Sequence, residues 1–282
     1  MKVFITGSSG FIGRNLVNRL QLSGHTLYLH KRDDSLWDIH RINPDIIYHI
    51  AGEVRDESKM FNSNLELTHR LLEITKDMNY KAFIHIGSSS EYGRKQSPFK
   101  ETDNLVPTNI YEATKAGATL LCQAYGKEFD KPIVTVRVFS IYGDYEPEYR
   151  LIPTVYTSMK ENKKINIVNS AVHDFTYIND LIDFLEILPE KSDIISGDIV
   201  NFGTGFQTSN IELVKIFERV FKTELNYEII KTETSIRKPY DTTTWVCDTN
   251  YLNYKYKFST KYNLEQGILK YGSFREATKK NI

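Results

Sequence analysis

Tyr111 and Lys115 lie four positions apart in the stretch NIYEATKAG and have the chemistry of an acid–base pair. Residues at i and i+4 of a helix share one face, so this spacing predicts that the phenol and the ammonium group are neighbours. A nearby ammonium group stabilises a phenolate, and we therefore expect Lys115 to lower the pKa of Tyr111. A tyrosine in this setting can exchange protons near neutral pH.

A run of serines, Ser88 to Ser90, follows the apolar segment AFIHIG upstream of this pair. The segment is a predicted strand, and its carboxyl end would present the hydroxyls at the sheet edge where open α/β folds bind ligands. One hydroxyl could hold a substrate oxygen while Tyr111 exchanges the proton. This chemistry suits hydride transfer to or from the carbon that bears the oxygen. The alternative is that Tyr111 is a core residue and the serines form a polar loop.

A glycine motif, TGSSGFIG, follows the first predicted strand and opens the first predicted helix. Glycines at this spacing form a tight turn, let the backbone approach a pyrophosphate, and direct a helix N-terminus at its charge. The motif therefore predicts a dinucleotide site. Its predicted cofactor-binding residues are Gly7, Gly10, Phe11, Ile12, Gly13 and Arg14.

The end of the second predicted strand, TLYLH, is followed by Lys31 and Arg32. Basic side chains at this position accommodate a ribose 2′-phosphate, whereas an acidic one binds a free 2′-hydroxyl. Arg14 could add a third positive charge, so the sequence predicts NADP(H). The alternative is NAD(H), with Lys31 and Arg32 simply solvated and Asp33 or Asp34 on the ribose.

The rest of the chain must position these groups, and its pattern is that of a parallel sheet wound with helices. The predicted strands KVFIT, TLYLH, DIIYHIAG, AFIHIG and IVTVRVF alternate with amphipathic stretches of helical length, the first ending at Gly24. We predict an α/β fold: a Rossmann-type doubly wound parallel sheet with a smaller mixed α/β C-terminal substrate-binding lobe. Residues 1–143, with a returning segment near 171–205, would form the dinucleotide-binding domain, and 144–282 mainly the substrate lobe.

Composition limits the partners. Lys+Arg and Asp+Glu each total 36 in 282 residues, so the formal net charge is zero. This composition does not indicate a protein that binds nucleic acid or an anionic membrane through excess positive charge. Cys122 and Cys247 are far apart in sequence, so neither a disulfide framework nor a metal site is predicted. The N-terminus lacks the apolar run of a signal peptide, and we expect a cytoplasmic protein that binds a small molecule.

Several motifs together resemble the extended short-chain dehydrogenase/reductase family of nucleotide-sugar epimerases, dehydratases and reductases. The matching segments are TGSSGFIG, DIIYHIAGE, GSSSEYG, YEATK, RVFSIYG, HDFTYIND and NFGTG, spread over nearly the whole chain. The resemblance implies the catalytic residues Ser88, Tyr111 and Lys115, and a homodimer. It also implies cofactor contacts at Ala51, Gly52, Asn64, Tyr111 and Lys115, and substrate contacts at Ser89, Ser90, Ser140 and Arg237.

Three departures from the family pattern narrow the implied activity. The 4,6-dehydratases have Asp-Glu directly after the catalytic residue, where this chain has Ser89 and Ser90, although Glu91 is close in sequence. Enzymes similar to GDP-fucose synthase have a Cys where Ser90 stands. The interval between the second strand and PDIIYHIAG leaves little room for the usual third strand and its adenine-contacting Asp.

The resemblance and its departures predict an NADPH-dependent reductase of the 4-keto group of a nucleotide-linked deoxy sugar. The alternative is a C4 epimerase, which would keep its cofactor bound through oxidation and re-reduction. A 4,6-dehydratase and a non-catalytic NADP-binding protein are the remaining alternatives.

Overall fold

The fold is described by a computed structural model that covers residues 1–93, 98–168, 171–230 and 244–279. Its strands are β1 Lys2–Thr6, β2 Thr26–His30, β3 Ile46–His49, β4 Ala82–Ser88, β5 Ile133–Val138, β6 Ser140–Tyr142, β7 Ile165–Val168, β8 Val172–His173, β9 Phe175–Tyr177, β10 Asp198–Phe202, β11 Thr208–Ser209 and β12 Tyr227–Ile230. Its helices are α1 Phe11–Leu22, α2 Asp38–Ile42, α3 Glu57–Met60, α4 Leu67–Thr75, α5 Ile110–Glu128, α6 Leu151–Glu161, α7 Ile178–Ile187, α8 Asn210–Phe221, α9 Asn250–Tyr256 and α10 Leu264–Lys279. A π-helical turn, Phe61–Glu66, precedes α4, and 3₁₀ turns span Ser89–Tyr92 and Leu188–Ile194.

The central sheet has six strands in the order β10-β5-β4-β3-β1-β2, and every neighbouring pair is parallel. This arrangement confirms the predicted α/β fold class. Strand β10 enters the sheet beside β5 from within the interval 171–205. The boundaries of the two predicted domains remain a prediction.

Both faces of the sheet are covered, which explains why its inner strands read as continuous apolar runs. Val3 and Ile5 of β1 pack into one core with Leu16 of α1, whereas Phe4 packs into a second core with Leu71 of α4. Successive strand residues point to opposite faces, so a run of apolar residues supplies both cores.

Within the described residues, the outer strand β2 has no neighbour on its far side, and its residues are partly exposed. Residues 31–45 contain the short helix α2 and no strand, so the short interval noted in the sequence does remove the usual third strand.

The C-terminal part of the described chain combines short strand pairs with helices. Strands β6 and β9 pair in parallel, as do β7 and β12, while β8 and β11 are antiparallel. None of the helices in the described residues is long and apolar enough to cross a bilayer.

Candidate active site

A cleft of about 1940 Å³ runs along the carboxyl ends of the central strands. It is lined by the segments that follow β1, β3, β4 and β5, which is where open parallel sheets bind ligands. The predicted site residues that the structure brings together in this cleft are Gly7, Gly10, Phe11, Ile12, Lys31, Arg32, Ala51, Gly52, Asn64, Ser88, Ser89, Ser90, Tyr111, Lys115 and Ser140. Arg237 lies outside the described residues, and its predicted substrate contact remains a prediction.

The glycine loop depends on close backbone packing. Gly7 has φ of +73°, and a Cβ there would lie 2.5 Å from the backbone N of Ala51. A Cβ on Gly13 would lie 2.1 Å from the carbonyl oxygen of Gly7. Gly13 is not among the residues that line the cleft. Its missing side chain lets α1 approach the loop, as a pyrophosphate-binding turn requires.

Arg14 contacts the glycine loop from the surface of α1. Its Nε donates a hydrogen bond to the carbonyl oxygen of Ser9 at 2.9 Å, and its guanidinium lies 6.0 Å from the Tyr145 ring. Arg14 is exposed on α1 and does not line the cleft beside Lys31 and Arg32. The contribution of Arg14 to a 2′-phosphate site remains a prediction.

Lys31 and Arg32 line the cleft beyond the carboxyl end of β2. The nearby Asp34 carboxylate accepts a hydrogen bond from the backbone N of Lys31 at 2.8 Å, and so stabilises the turn. This end of the cleft therefore presents two cations, the arrangement that suits a phosphorylated ribose.

Asn64 lies in the π-helical turn and is almost fully buried. Its Oδ1 accepts a hydrogen bond from the backbone N of Glu53 at 2.7 Å, and its Nδ2 donates to Thr114 Oγ1 at 3.1 Å. Asn64 thus joins the loop after β3 to α5. Its polar atoms shape the cleft wall.

The serine hydroxyls cluster with the Tyr111 phenol. Ser88 caps the 3₁₀ turn by accepting a hydrogen bond from the backbone N of Ser90 at 3.2 Å, and the two hydroxyl oxygens are 2.5 Å apart. Asn109 caps α5 and places Tyr111 in its first turn, within hydrogen-bonding reach of both serines. In this geometry a hydroxyl that can bind an oxygen lies beside a phenol that can donate a proton.

The pKa of Tyr111 differs in direction from the sequence-based expectation. Burial raises this pKa, while the hydrogen bonds from Ser88 and Ser90 and the charge of Arg150 act in the opposite direction. The Lys115 ammonium group donates to the carbonyl oxygen of Ile86 at 2.5 Å. At neutral pH the Tyr111 phenol therefore retains its proton.

Lys115 is almost fully buried beneath the cleft floor. Burial lowers its pKa, and the charge of Glu91 counteracts this effect. The hydrogen bond to Ile86 anchors the ammonium group to β4, one turn of α5 below Tyr111.

Ser89 and Ser140 lie in the part of the cleft formed by the C-terminal segments. The Trp245 indole Nε1 donates to Ser89 Oγ at 3.2 Å, and Ser140 Oγ lies 3.2 Å from His173 Nδ1. Burial lowers the pKa of His173 to about 4, so this imidazole is neutral at physiological pH. The region offers neutral polar groups to a bound ligand.

Arg150 is a cleft residue that the sequence reasoning missed. Its Nε lies 3.1 Å from a carboxylate oxygen of buried Glu146, and its guanidinium lies 5.7 Å from the Phe11 ring. It lines the same cleft as the glycine loop and Tyr111, and its charge acts on the Tyr111 phenol. The sequence carries no signal for it beyond a lone arginine before an apolar helix.

The structural role of Glu91 was also missed, since the sequence analysis noted this residue only for its closeness to the segment where 4,6-dehydratases have Asp-Glu. It is fully buried, and its Oε2 lies 2.8 Å from Arg137 Nε. A carboxylate paired in this way cannot act on a ligand in the cleft. The available signal was Arg137 itself, since a charged residue within the core strand IVTVRVF requires a partner.

A family model described as the NAD-dependent epimerase/dehydratase family matches residues 3–203. The chain belongs to this family. The match confirms the family resemblance that the motifs indicated. This membership fits the glycine loop and the Ser88, Tyr111 and Lys115 cluster in the cleft.

Two relatives illustrate the range of the family. The chain is 30% identical over 191 residues to a dTDP-D-glucose 4,6-dehydratase of Dictyostelium discoideum, covering 61% of this chain but only 44% of that protein. It is 27% identical over 269 residues to the low-salt glycan biosynthesis protein Agl12 of Haloferax volcanii, covering 82% of this chain and 86% of Agl12. The chain thus spans less than half of the first relative and most of the second.

Solved structures share the whole fold at lower identity. A UDP-glucuronic acid 4-epimerase from Bacillus cereus, in complex with UDP-glucuronic acid and NAD, aligns with a TM-score of 0.88 and 23% identity over 99% of this chain and 100% of that one. RMD from Pseudomonas aeruginosa, complexed with NADPH, aligns with a TM-score of 0.84 and 20% identity over 98% and 99% of the two chains. Both nicotinamide cofactors therefore occur on this fold.

Proposed function

We propose that the protein is an NADPH-dependent reductase of the 4-keto group of a nucleotide-linked deoxy sugar. The observation that carries this proposal is the placing of the Tyr111 phenol in the same cleft as the Ser88 and Ser90 hydroxyls, whose oxygens are 2.5 Å apart. Reduction of a ketone needs a proton donor at the oxygen, and a tyrosine whose pKa is raised by burial holds its proton at neutral pH.

Each catalytic side chain has one role in this proposal. A bound nicotinamide would supply the hydride. Ser88 donates a hydrogen bond to the ketone oxygen, and Tyr111 gives that oxygen its proton. Lys115 is anchored at Ile86, and we assign its ammonium group to the nicotinamide ribose, as the family resemblance implies.

The nucleotide-sugar substrate is inferred from the comparisons. The solved epimerase contains UDP-glucuronic acid, and the Dictyostelium relative is named for a dTDP-linked sugar. The neutral hydroxyls around Ser140 and His173 suit a sugar ring, and Arg150 could meet a phosphate or another anionic group.

Dehydration is disfavoured by the groups present in the serine segment. Ser89 and Ser90 have hydroxyls that are neither strong acids nor strong bases, and Ser89 accepts a hydrogen bond from Trp245. Glu91 is turned into the core and paired with Arg137. The segment therefore lacks an available carboxylate for removing water from the sugar.

A C4 epimerase is the second candidate, favoured by the full-length likeness to the Bacillus cereus enzyme. The two functions are separated by incubating the protein with NADPH, nucleotide-linked 4-keto sugars and the corresponding 4-hydroxy sugars. We expect a loss of absorbance at the NADPH band in proportion to the keto sugar reduced. Interconversion of 4-hydroxy sugars without net NADPH consumption would overturn the reductase in favour of the epimerase.

The cofactor preference gives a separate prediction. Because Lys31 and Arg32 can bind a 2′-phosphate, NADPH should bind at least about tenfold more tightly than NADH, or roughly 1.4 kcal/mol. Replacing both residues with Ala should remove this difference in a fluorescence titration. A matched control is Lys59→Ala, since Lys59 also lines the cleft but is paired with Asp56 at 2.6 Å. Equal affinities for NADPH and NADH in the unmodified protein would contradict the assignment.

Oligomeric state and location rest on the family resemblance and on composition. The homodimer and the cytoplasmic location remain predictions. Size-exclusion chromatography with light scattering tests the first of them.

A further inference from the structure

The Glu91 carboxylate belongs to the serine segment but faces the protein interior. It is fully buried, and each oxygen is engaged. Oε1 accepts hydrogen bonds from the backbone N of Ser88 at 2.7 Å and from Thr119 Oγ1 at 3.0 Å, while Oε2 accepts from Arg137 Nε at 2.8 Å. A single carboxylate therefore joins the catalytic strand end to α5 and to β5.

Arg137 continues the connection on the far side of Glu91. Its Nη1 donates to the Tyr92 hydroxyl at 3.0 Å, and that hydroxyl donates to Asn201 Oδ1 of β10 at 2.7 Å. Because both Glu91 and Arg137 are buried, their desolvation offsets much of their attraction, and an apolar pair of similar volume could be equally stable. Stability alone therefore does not account for a charged pair at this position.

Gly87 provides the space that the carboxylate occupies. A Cβ at Gly87 would lie 2.8 Å from Glu91 Oε1 and 2.8 Å from Thr135 Cγ2. The strand end before Ser88 is therefore shaped to admit the Glu91 side chain beside the backbone. Ser88 begins the turn with a capping box, in which its own hydroxyl and the Glu91 carboxylate bind the two ends of the turn.

We propose that Glu91 is a positioning residue for Ser88. By binding the Ser88 backbone N–H and being held in turn by Arg137 and Thr119, Glu91 fixes the direction in which the Ser88 hydroxyl enters the cleft. This proposal rests on the proposed function, because it takes from that function the role of Ser88 in binding the reacting oxygen. Glu91 acts through Ser88 and touches neither substrate nor cofactor.

The test is a double-mutant cycle between Glu91→Gln and Ser88→Ala, in which kcat is measured for the unmodified protein, both single variants and the double variant. The amide of Gln has only one acceptor oxygen, whereas the Ser88 backbone N–H and Arg137 Nε–H are both donors. In Glu91→Gln the oxygen can therefore accept from Ser88 or from Arg137, but not from both. We expect kcat to fall by about tenfold to a hundredfold, with NADPH affinity changed by less than about threefold. In the Ser88→Ala background the same substitution should change kcat by less than about threefold, because the hydroxyl it orients is gone.

A purely structural role gives a different pattern. If Glu91→Gln lowers kcat by the same factor with and without the Ser88 hydroxyl, the two effects are independent and the proposal is overturned. Asp180→Asn is the matched control, since Asp180 is a fully buried carboxylate in α7 that accepts hydrogen bonds from the backbone of Lys261 and Tyr262. Its effect on kcat should be independent of Ser88.

Two further measurements test the proposal if Glu91→Gln folds poorly or if the protein shows no activity. Thr119→Val removes one hydrogen-bond donor to Glu91 without altering charge. Its smaller loss of kcat should also vanish in the Ser88→Ala background, and a loss that persists there contradicts the proposal.

A crystal structure of Glu91→Gln tests the proposal even if the protein is inactive. The Ser88 and Ser90 hydroxyl oxygens are 2.5 Å apart in the unmodified protein, and an unchanged distance and orientation in the variant would overturn the proposal. If the unmodified protein neither reduces nor epimerises any nucleotide sugar, the proposed function fails, whereas the crystal structure still decides whether Glu91 positions Ser88.

Discussion

Replacing Tyr111 with Phe should lower kcat for ketone reduction by about 10²–10⁴ and leave NADPH affinity nearly unchanged. The substitution removes the proton donor but keeps the ring, the glycine loop and the buried Lys115. Steady-state kinetics and a separate NADPH titration measure the two effects. Tyr254→Phe is the control, because Tyr254 is 79% exposed and far from the serine cluster in sequence.

The pH profile gives Tyr111 a second readout. Burial raises its pKa, so the phenol should stay protonated through neutral pH, and reduction should slow only as alkaline pH removes the proton. The residual activity of Tyr111→Phe should lack this alkaline decline. Near-normal turnover of Tyr111→Phe would show that the tyrosine only packs, and the catalytic assignment would then be abandoned.

Substitutions of Ser88 and Lys115 should change kcat and NADPH affinity differently from Tyr111→Phe. Ser88→Ala removes one hydrogen bond to the developing oxyanion and leaves the acid in place, so it should cost less than Tyr111→Phe. Lys115→Ala should weaken NADPH binding and turnover together, because the family resemblance places the ammonium group near the nicotinamide ribose.

The second large effect concerns stability. Arg137→Met should lower the free energy of unfolding by about 3–5 kcal/mol, because it leaves the Glu91 carboxylate buried without its partner. Urea denaturation at neutral pH measures this loss. The double variant Glu91→Gln and Arg137→Met should recover much of it, since no unpaired charge then remains in the core.

Arg19→Met is the matched control for this prediction. Arg19 forms ion pairs with Asp183 at 2.6 Å and Glu186 at 2.7 Å, but its side chain is 33% exposed. Such pairs typically contribute less than about 1 kcal/mol each. If Arg137→Met loses no more stability than Arg19→Met, leaving the buried Glu91 carboxylate unpaired does not carry the cost that we expect.

Sequence by itself determined the parts of this protein that depend on local chain geometry. The five predicted strands, the helix end at Gly24 and the tight turn at Gly7 follow from residue periodicity and from backbone conformations that glycine favours. The shared face of Tyr111 and Lys115 follows from the period of α5. Each of these features is set by neighbours within a few residues, which a single sequence displays.

Only the tertiary structure decided which distant polar groups meet and what their surroundings do to them. Glu91 and Arg137 are 46 residues apart, and their pairing depends on β4 lying beside β5. The raised pKa of Tyr111 reverses the expectation from Lys115 because burial acts through the whole surrounding volume, whereas sequence spacing shows only the nearest charge along the helix.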